Sequence, residues 1–464
     1  MSGAVISVPP GAASLLRRLH AAGFDAYVVG GCVRDSLLHK AVHDWDICTS
    51  ALPDEMRRVF ADRRLHDTGV RHGTLTIVSE DGRPYEVTTF RTDGTYSDNR
   101  HPDSVTFVKS LREDAARRDF TINSMAYSEE EGLIDCFGGR SDLSSRLIRC
   151  VGDADARFRE DALRILRALR FASAYGFAIE AETAAAIHRS AALLNRIAPE
   201  RVRDELCKLL PGPGVLPVLL EYSDVITVIL PELRPCVGFE QHNRYHPYTV
   251  YEHIARAVAG DTGGDATVRL ALLLHDAGKP QCYTEDENGG HFRGHSVPGS
   301  RIARDAATRL RFDNSTRDAV AELVLHHDAA IAPTPKSVRR WLNKIGEQRF
   351  RQLLDVQRAD ILAHAADTQR ARLERCGELQ AALDQVLAEK QCFTMAALAV
   401  DGNDIMQALG LPQGKAVGSV LRRLLDAVIA GELANDRDAL LREAENCLAD
   451  VPRPRCPRHS ENAP

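Results

Sequence analysis

The sequence predicts an α+β protein whose strands are confined to its first third and whose remaining length is helical. Residues 72–78 (HGTLTIV) and 85–90 (YEVTTF) alternate apolar and β-branched or polar side chains on either side of the turn Glu80-Asp81-Gly82-Arg83, as half-buried paired strands do. From Glu160 onward, beginning with EDALRILRALRF, apolar residues recur at three- and four-residue spacing, the period of packed helices. A chain of 464 residues has room for two to four domains, and its 44% apolar content can supply their cores.

A formal charge of −6 argues against a generally basic nucleic-acid coat, so an RNA or DNA partner would need a local basic face. The eleven cysteines include no CxxC pair, the usage of a reduced protein with buried thiols. No basic segment leads into an apolar one at the start, and no apolar run approaches eighteen residues. These features predict a soluble, cytoplasmic protein with no membrane partner.

Residues 12–22 have helical spacing and end at Gly23, a fitting cap. Tyr27-Val28-Val29 reads as the end of a buried strand, Gly30-Gly31 as a turn that lets backbone approach a ligand, and residues 33–39 as a short helix. A turn of N–H groups with Arg34 beside it suits a phosphate. Asp44 and Asp46, two apart in an extended segment, place both carboxylates on one face, where they repel unless a cation lies between them. Hard oxygen ligands of this kind suit magnesium, completed by substrate phosphates. Another helix opens at Ser50-Ala51-Leu52-Pro53. Glu86 is a third carboxylate if its strand neighbours that of Asp44 and Asp46, and otherwise a solvated side chain. Residues 91–102 (RTDGTYSDNRHP) form a long polar loop. In RRDFTINSMA a helix could begin at Asp119 or Thr121, with Arg117 and Arg118 at its mouth, to meet a triphosphate or to pair with Glu113 and Asp114.

In the helical run from Glu160, Asp161 offers an acceptor and Arg164 a donor fork one turn on, and Arg164, Arg167 and Arg170 share a side. The bland alternative is a salt-bridged helix face. Taken together, GGCVRD with DWD, RRDFTIN and EDALRILRALRF stand in the order and spacing of the bacterial class II CCA-adding tRNA nucleotidyltransferases and related poly(A) polymerases, which the first half of the chain therefore resembles. The resemblance implies a polymerase-beta-type nucleotidyltransferase head with a mixed sheet, followed by an all-α neck. It implies that Gly30, Gly31, Arg34 and Arg118 contact the nucleotide, that Asp44 and Asp46 are catalytic magnesium ligands, and that Asp161 and Arg164 select the base. Arg167 and Arg170 match further nucleotide contacts. ERVRDEL (200–206) is similar to the family's last neck helix, which supports the site. Asp98, Arg100, His101 and Pro102 match a loop associated with the A-adding step.

The second half holds another constellation. Eight of the seventeen histidines fall between His242 and His327. His275-Asp276 at the end of an apolar helix needs partners if buried. With His253 before it, His295 and His326 after it, and Asp360 further on, metal binding is the better reading; His327 is an equally near alternative to His326. The order resembles the HD superfamily of metal-dependent phosphohydrolases over residues 240–365. It implies that His253, His275, Asp276 and Asp360 hold a primary divalent transition metal, with His295 and His326 assisting or holding a second; manganese, iron, nickel, cobalt and zinc all suit such ligands. Beyond Asp360 the chain is helical, with breaks at Gly402 and Gly410-Leu411-Pro412 and a modest basic face at Lys415, Arg422 and Arg423.

The expected division is a head (1–145), a helical neck (146–225), an HD body (226–370), a helical tail (371–450) and a disordered Pro-rich end (451–464). The implied activity is template-independent addition of CCA to the 3′ end of tRNA from CTP and ATP, with a phosphohydrolase activity at the HD site. The rival readings are a poly(A) polymerase, an enzyme adding only CC or only A, and a phosphohydrolase with an RNA-binding head.

Overall fold

A computed structural model describes residues 6–94, 104–287, 289–389, 391 and 393–449. Asp98, Arg100, His101 and Pro102 of the expected loop, and the expected disordered end at 451–464, lie outside the described residues.

Strands and short helices alternate at first: α1 (Pro10–Ala21), β1 (Ala26–Val29), α2 (Gly31–Leu37), β2 (Asp46–Thr49), α3 (Pro53–Val59), β3 (Leu65–Gly69), β4 (Thr74–Val78) and β5 (Pro84–Thr89). A two-stranded ribbon, β6 (Arg91–Asp93) and β7 (Val105–Phe107), precedes α4 (Leu111–Ala116), β8 (Ala126–Ser128) and β9 (Gly132–Ile134). Seven of these strands form one sheet in the order β3-β4-β5-β2-β1-β8-β9. It is mixed: β2 and β5 run parallel with Ile47 beside Val87, and the other neighbours are antiparallel. All four residues of β1 are buried, as a strand covered on both faces requires. Tyr27, Val29, Cys48, Phe90 and Ala126 make one apolar cluster.

The chain divides into two compact units, Met1–Val324 and Leu325–Pro464. The first continues with α5 (Gly139–Ser144), α6 (Ala154–Glu160), α7 (Leu163–Tyr175), α8 (Ala181–Ser190), α9 (Pro199–Leu209), α10 (Val215–Glu221), α11 (Ser223–Ile229), α12 (Val250–Gly260), α13 (Ala266–Leu274), α14 (Ser296–Arg309) and α15 (Asn314–His326), within which the division falls. Along α7 Arg164, Arg167 and Arg170 stay half-buried between fully buried neighbours, so they share one side. Helix α7 lies against α9 and α10. Ser173 Oγ donates to Leu209 O at 2.7 Å, and a Cβ at Gly212 would sit 2.3 Å from that hydroxyl, so only glycine allows the approach.

The expected continuous helix from Glu160 is interrupted. Helix α6 ends at Glu160, Asp161 is extended (φ −135°), and α7 starts at Leu163. Asp161 Oδ1 accepts from Leu163 N at 3.0 Å, so the side chain competes with helical bonding and starts a new helix. Asp119 does not open an α-helix either; a single 3-10 turn spans Thr121–Asn123.

The second unit comprises α16 (Pro335–Ile345), α17 (Glu347–Leu362), α18 (Ala366–Ala388), α19 (Gly402–Leu409), α20 (Lys415–Ala430) and α21 (Arg437–Ala449). Gly402 starts α19 and Gly410, at φ +62°, ends it. The last three helices share a core around Ile405, Leu424, Leu440 and Ala444. Among the described residues, no helix is long and apolar enough to cross a membrane.

Candidate active site and metal centre

Where β1 ends, Gly30 adopts φ +78° and its N–H donates to Met125 O at 3.3 Å. The conformation favours glycine, and a Cβ there would lie a tight 3.2 Å from Arg118 Nη1. The turn delivers Arg34 on α2, which is nearly buried. Its guanidinium donates to Asn123 Oδ1 at 2.5 Å and grips Asp35 through two bonds of 2.9 Å.

Asp46 begins β2 and Asp44 precedes it by two residues, both exposed toward the same cavity. Crowding by protein raises the Asp46 carboxyl above its ordinary value; Arg118 pulls it down, and Glu86 and Asp44 push it up. The parallel register sets Glu86 of β5 beside Asp46, so the strand neighbour required of a third carboxylate is present.

Arg117 and Arg118 both reach the buried Asp114, at 2.8 and 3.2 Å. Burial disfavours the Asp114 charge, but Arg118 and then Arg117 outweigh that and hold its carboxyl low. Asp119 is also buried and accepts from Phe120 N (2.8 Å), Asn123 Nδ2 (3.0 Å) and Arg167 Nε and Nη2 (2.8 and 2.6 Å). Burial works against its charge too, yet Arg167 and these bonds bring it to about 2.

On the helical side, Asp161 pairs with Arg201 of α9 at 3.0 Å. Arg164 donates to Glu160 at 2.7 Å and to Arg117 O at 3.0 Å. Arg170 pairs with Glu205 at 3.2 Å. The arginines, Asp119, Asp161, the glycine turn and the aspartate pair face one cavity of about 690 Å³. The structure therefore brings together Gly30, Gly31, Arg34, Asp44, Asp46, Arg118, Asp161, Arg164, Arg167 and Arg170. Asp161 and Arg164 meet there across the α6–α7 junction rather than one turn apart on a single helix.

Asp119 and Asn123, which the sequence does not single out as site residues, stand on the same walls, as does Arg201 of the ERVRDEL segment. Asp119 and Asn123 sit in the RRDFTIN segment at a spacing of four, a pattern that points to a helix start and to the arginines beside it but not to a place on the cavity wall. For Arg201 the resemblance of ERVRDEL to a supporting neck helix points to the site, but its partner, 40 residues away, is not readable from a local pattern.

In the first unit a second cluster is buried. His253 Nε2 and His275 Nε2 lie 3.2 Å apart and 3.3 and 3.2 Å from Asp276 Oδ2, while His295 Nε2 is 3.1 Å from Asp276 Oδ1. Nδ1 of His275 faces Leu272 O at 2.7 Å, and Nδ1 of His295 faces Phe292 O at 2.8 Å. Those carbonyls can only accept, so both rings are protonated at Nδ1 and present Nε2 inward, the arrangement of metal-binding imidazoles. Burial opposes the Asp276 charge, but His275 and Lys279, whose Nζ is 2.6 Å away, hold its carboxyl well below the usual range. The residues fit a divalent transition metal by donor type and orientation.

In the second unit Asp360 is buried on α17, and its backbone carbonyl faces His364 Nδ1 at 2.8 Å. His326 packs edge-on against Trp341 with ring centres 5.1 Å apart, whereas His327 is 4% exposed. Of this adjacent pair, His327 is the buried one and His326 is half-buried.

The chain matches the poly A polymerase head domain over residues 26–149, the family described as the probable RNA and SrmB-binding site of polymerase A over 176–236, the HD domain over 244–365 and tRNA nucleotidyltransferase domain 2 over 310–444. The CCA-adding enzyme of Limosilactobacillus fermentum is 36% identical over 434 residues, covering 94% of this chain and 96% of that protein. The chain belongs to the CCA-adding enzyme family. Another member, from Geobacillus stearothermophilus, is 37% identical across 92% of this chain and 95% of its own length. The crystal structure of the Bacillus stearothermophilus CCA-adding enzyme in complex with CTP superposes with a TM-score of 0.69 at 32% identity, over 95% of this chain and 98% of that one. The Thermotoga maritima CCA-adding enzyme complexed with tRNA shares the fold, with a TM-score of 0.58 at 21% identity over 94% of each chain. The chain therefore has the family's α+β architecture, with a polymerase-beta-type head and an HD domain.

Proposed function

We propose that the protein adds C, C and A to the 3′ end of tRNA, without a template, from CTP and ATP. The observation that carries this is the single cavity in which the glycine turn and aspartate pair of the head face Asp161 and Arg164.

The reading assigns roles as follows. Gly30, Gly31, Arg34 and Arg118 hold the triphosphate, and Arg167 and Arg170 add positive charge around the nucleotide. Asp44 and Asp46 hold magnesium; their all-oxygen donor set suits a hard cation completed by substrate phosphates. Magnesium supplies activation of the attacking hydroxyl and neutralisation of charge on the triphosphate. The aspartates fix where that charge is met, and the arginines orient the phosphate chain in line with the tRNA 3′-hydroxyl.

Base choice follows from hydrogen-bond polarity. Cytosine presents an amino group beside N3 and adenine one beside N1, so Asp161 can accept from the amino group and Arg164 can donate to the ring nitrogen in both cases. Uracil and guanine present a carbonyl there, leaving the carboxylate and that oxygen without a proton between them, a mismatch of roughly 1–3 kcal/mol. Arg201 and Leu163 N occupy part of the Asp161 carboxylate, which as an ion can accept further bonds.

At the HD site, His253, His275, Asp276 and His295 would bind a divalent transition metal, with manganese, iron, nickel, cobalt and zinc as the candidates. The inclusion of Asp360 in that ligand set rests on the sequence pattern. The substrate expected there is a phosphomonoester or a cyclic phosphodiester. The five-part division into head, neck, HD body, tail and C-terminal end belongs to this reading, as does a cytoplasmic location.

The test is a gel assay of purified protein with tRNA lacking CCA and each triphosphate in turn. Addition of two C from CTP alone, and of one A once ATP is also present, supports the reading. Long A tails from ATP alone would favour the poly(A) polymerase reading.

A further inference from the structure

Tyr175, the last residue of α7, plays no part in the account above, yet it touches the glycine-turn helix from the opposite side of the cavity wall. Its hydroxyl donates to Asp35 Oδ1 at 2.9 Å. Its ring faces the Arg34 guanidinium, with Cζ 4.9 Å from the ring centre. Phe171, one turn back on α7, presents its own ring to the same guanidinium at 5.0 Å and stacks on Tyr175 at 6.0 Å. Lys40 Nζ lies 4.2 Å from the Tyr175 ring centre, so cationic groups from two parts of the head contact this one phenol.

We propose that Tyr175 is a positioning residue for nucleotide binding, acting through Asp35 to set the orientation of Arg34. Asp35 grips Arg34 through Nε and Nη2, and Asn123 takes Nη1, so the fork is fixed by partners that must themselves be fixed. Asn123 is held by Asp119. Asp35 is held by Tyr175, and the aromatic faces above the guanidinium restrict its tilt. Burial raises the Tyr175 hydroxyl; Arg34 opposes this and Asp35 adds to it, leaving the group at about 12 and a proton donor at neutral pH. The contact runs from the helix that carries Arg164 to the one that carries Arg34, linking the side assigned to the base with the side assigned to the phosphates.

This inference rests on the reading of Arg34 as a triphosphate contact, and the experiment separates the two. Dissociation constants for CTP, ATP and CMP are measured on full-length Tyr175→Phe, Arg34→Ala and the double variant. Tyr175→Phe keeps the ring and loses only the hydroxyl. It is expected to weaken CTP and ATP about fivefold, leave CMP within about twofold, and add less than about twofold to the loss already present in Arg34→Ala. Asp35→Asn should reproduce the phosphate-selective loss. A folded Tyr175→Phe that binds CTP as the parent does, weakens CMP equally, or adds its full effect to Arg34→Ala would overturn the positioning role. If Arg34→Ala itself leaves CTP binding unchanged, the phosphate reading of Arg34 fails instead, and the proposal falls with it.

Discussion

The buried Asp119 carboxylate shows how a single residue ties the sheet-bearing segment to α7. Its charge is held at about 2 against the cost of burial, chiefly by Arg167. A carboxyl depressed from about 3.8 contributes stability that is complete above pH 4 and is lost as pH falls toward 2. The size is on the order of 2 kcal/mol. Asp119→Asn should therefore cost about that much in urea unfolding at pH 7, with the gap to the parent narrowing steadily between pH 4 and pH 2. A gap independent of pH would mean that the ion pair contributes nothing through its charge. Asp44 and Asp46 are different: both are exposed on the cavity. Asp44→Ala or Asp46→Ala should leave the thermal midpoint unchanged and reduce nucleotide addition more than about a hundredfold, since even outer-shell partners of a metal are worth 10–100-fold. A thermal scan and a primer-extension gel on the same preparation check both halves of that expectation.

Among the elements, the turn between β1 and α2 is the most exacting. Gly30→Ala would place a Cβ at φ +78° and ψ −126°, 3.2 Å from Arg118 Nη1, costing roughly 1–3 kcal/mol in backbone strain alone. The expected outcome is a folded protein with weakened CTP and ATP binding, read by equilibrium titration; parental affinity would show that the turn tolerates a side chain. This turn was legible in the sequence because Gly-Gly after a run of buried residues is a local signal. So were the aspartates two apart and the arginines at three-residue spacing. What was not legible lies between elements. Arg201 meets Asp161, Glu205 meets Arg170 and Tyr175 meets Asp35 only because α7 packs on α9 and on the head, and no local pattern encodes that packing. The break at Asp161 is hidden for the opposite reason. The apolar period continues through it, while the Leu163 N–H bond that ends one helix and begins the next is invisible to a periodicity argument. His326 and His327 are adjacent in sequence, and only burial tells them apart.

At the scale of the whole molecule, the aspartate pair and the histidine cluster are built from separate segments, β2 on one hand and α12–α14 on the other. Asp276→Ala should abolish metal retention and any hydrolysis of phosphomonoesters or cyclic phosphodiesters while leaving nucleotide addition intact, and Asp46→Ala should do the reverse. Loss of both activities in one folded variant would contradict two independent sites. The central claim is that one cavity both holds the triphosphate and chooses the base. It is tested most directly by single-nucleotide incorporation with all four triphosphates, using the parent and Asp161→Ala, on tRNA ending before the first C and on tRNA ending before the A. The parent should take only CTP on the first and only ATP on the second. Asp161→Ala should admit UTP and GTP by roughly tenfold or more relative to the correct nucleotide, the factor that 1–3 kcal/mol allows, with a smaller loss of rate. Unchanged selectivity with a uniform loss of rate would contradict the account and leave Asp161 a structural partner of Arg201.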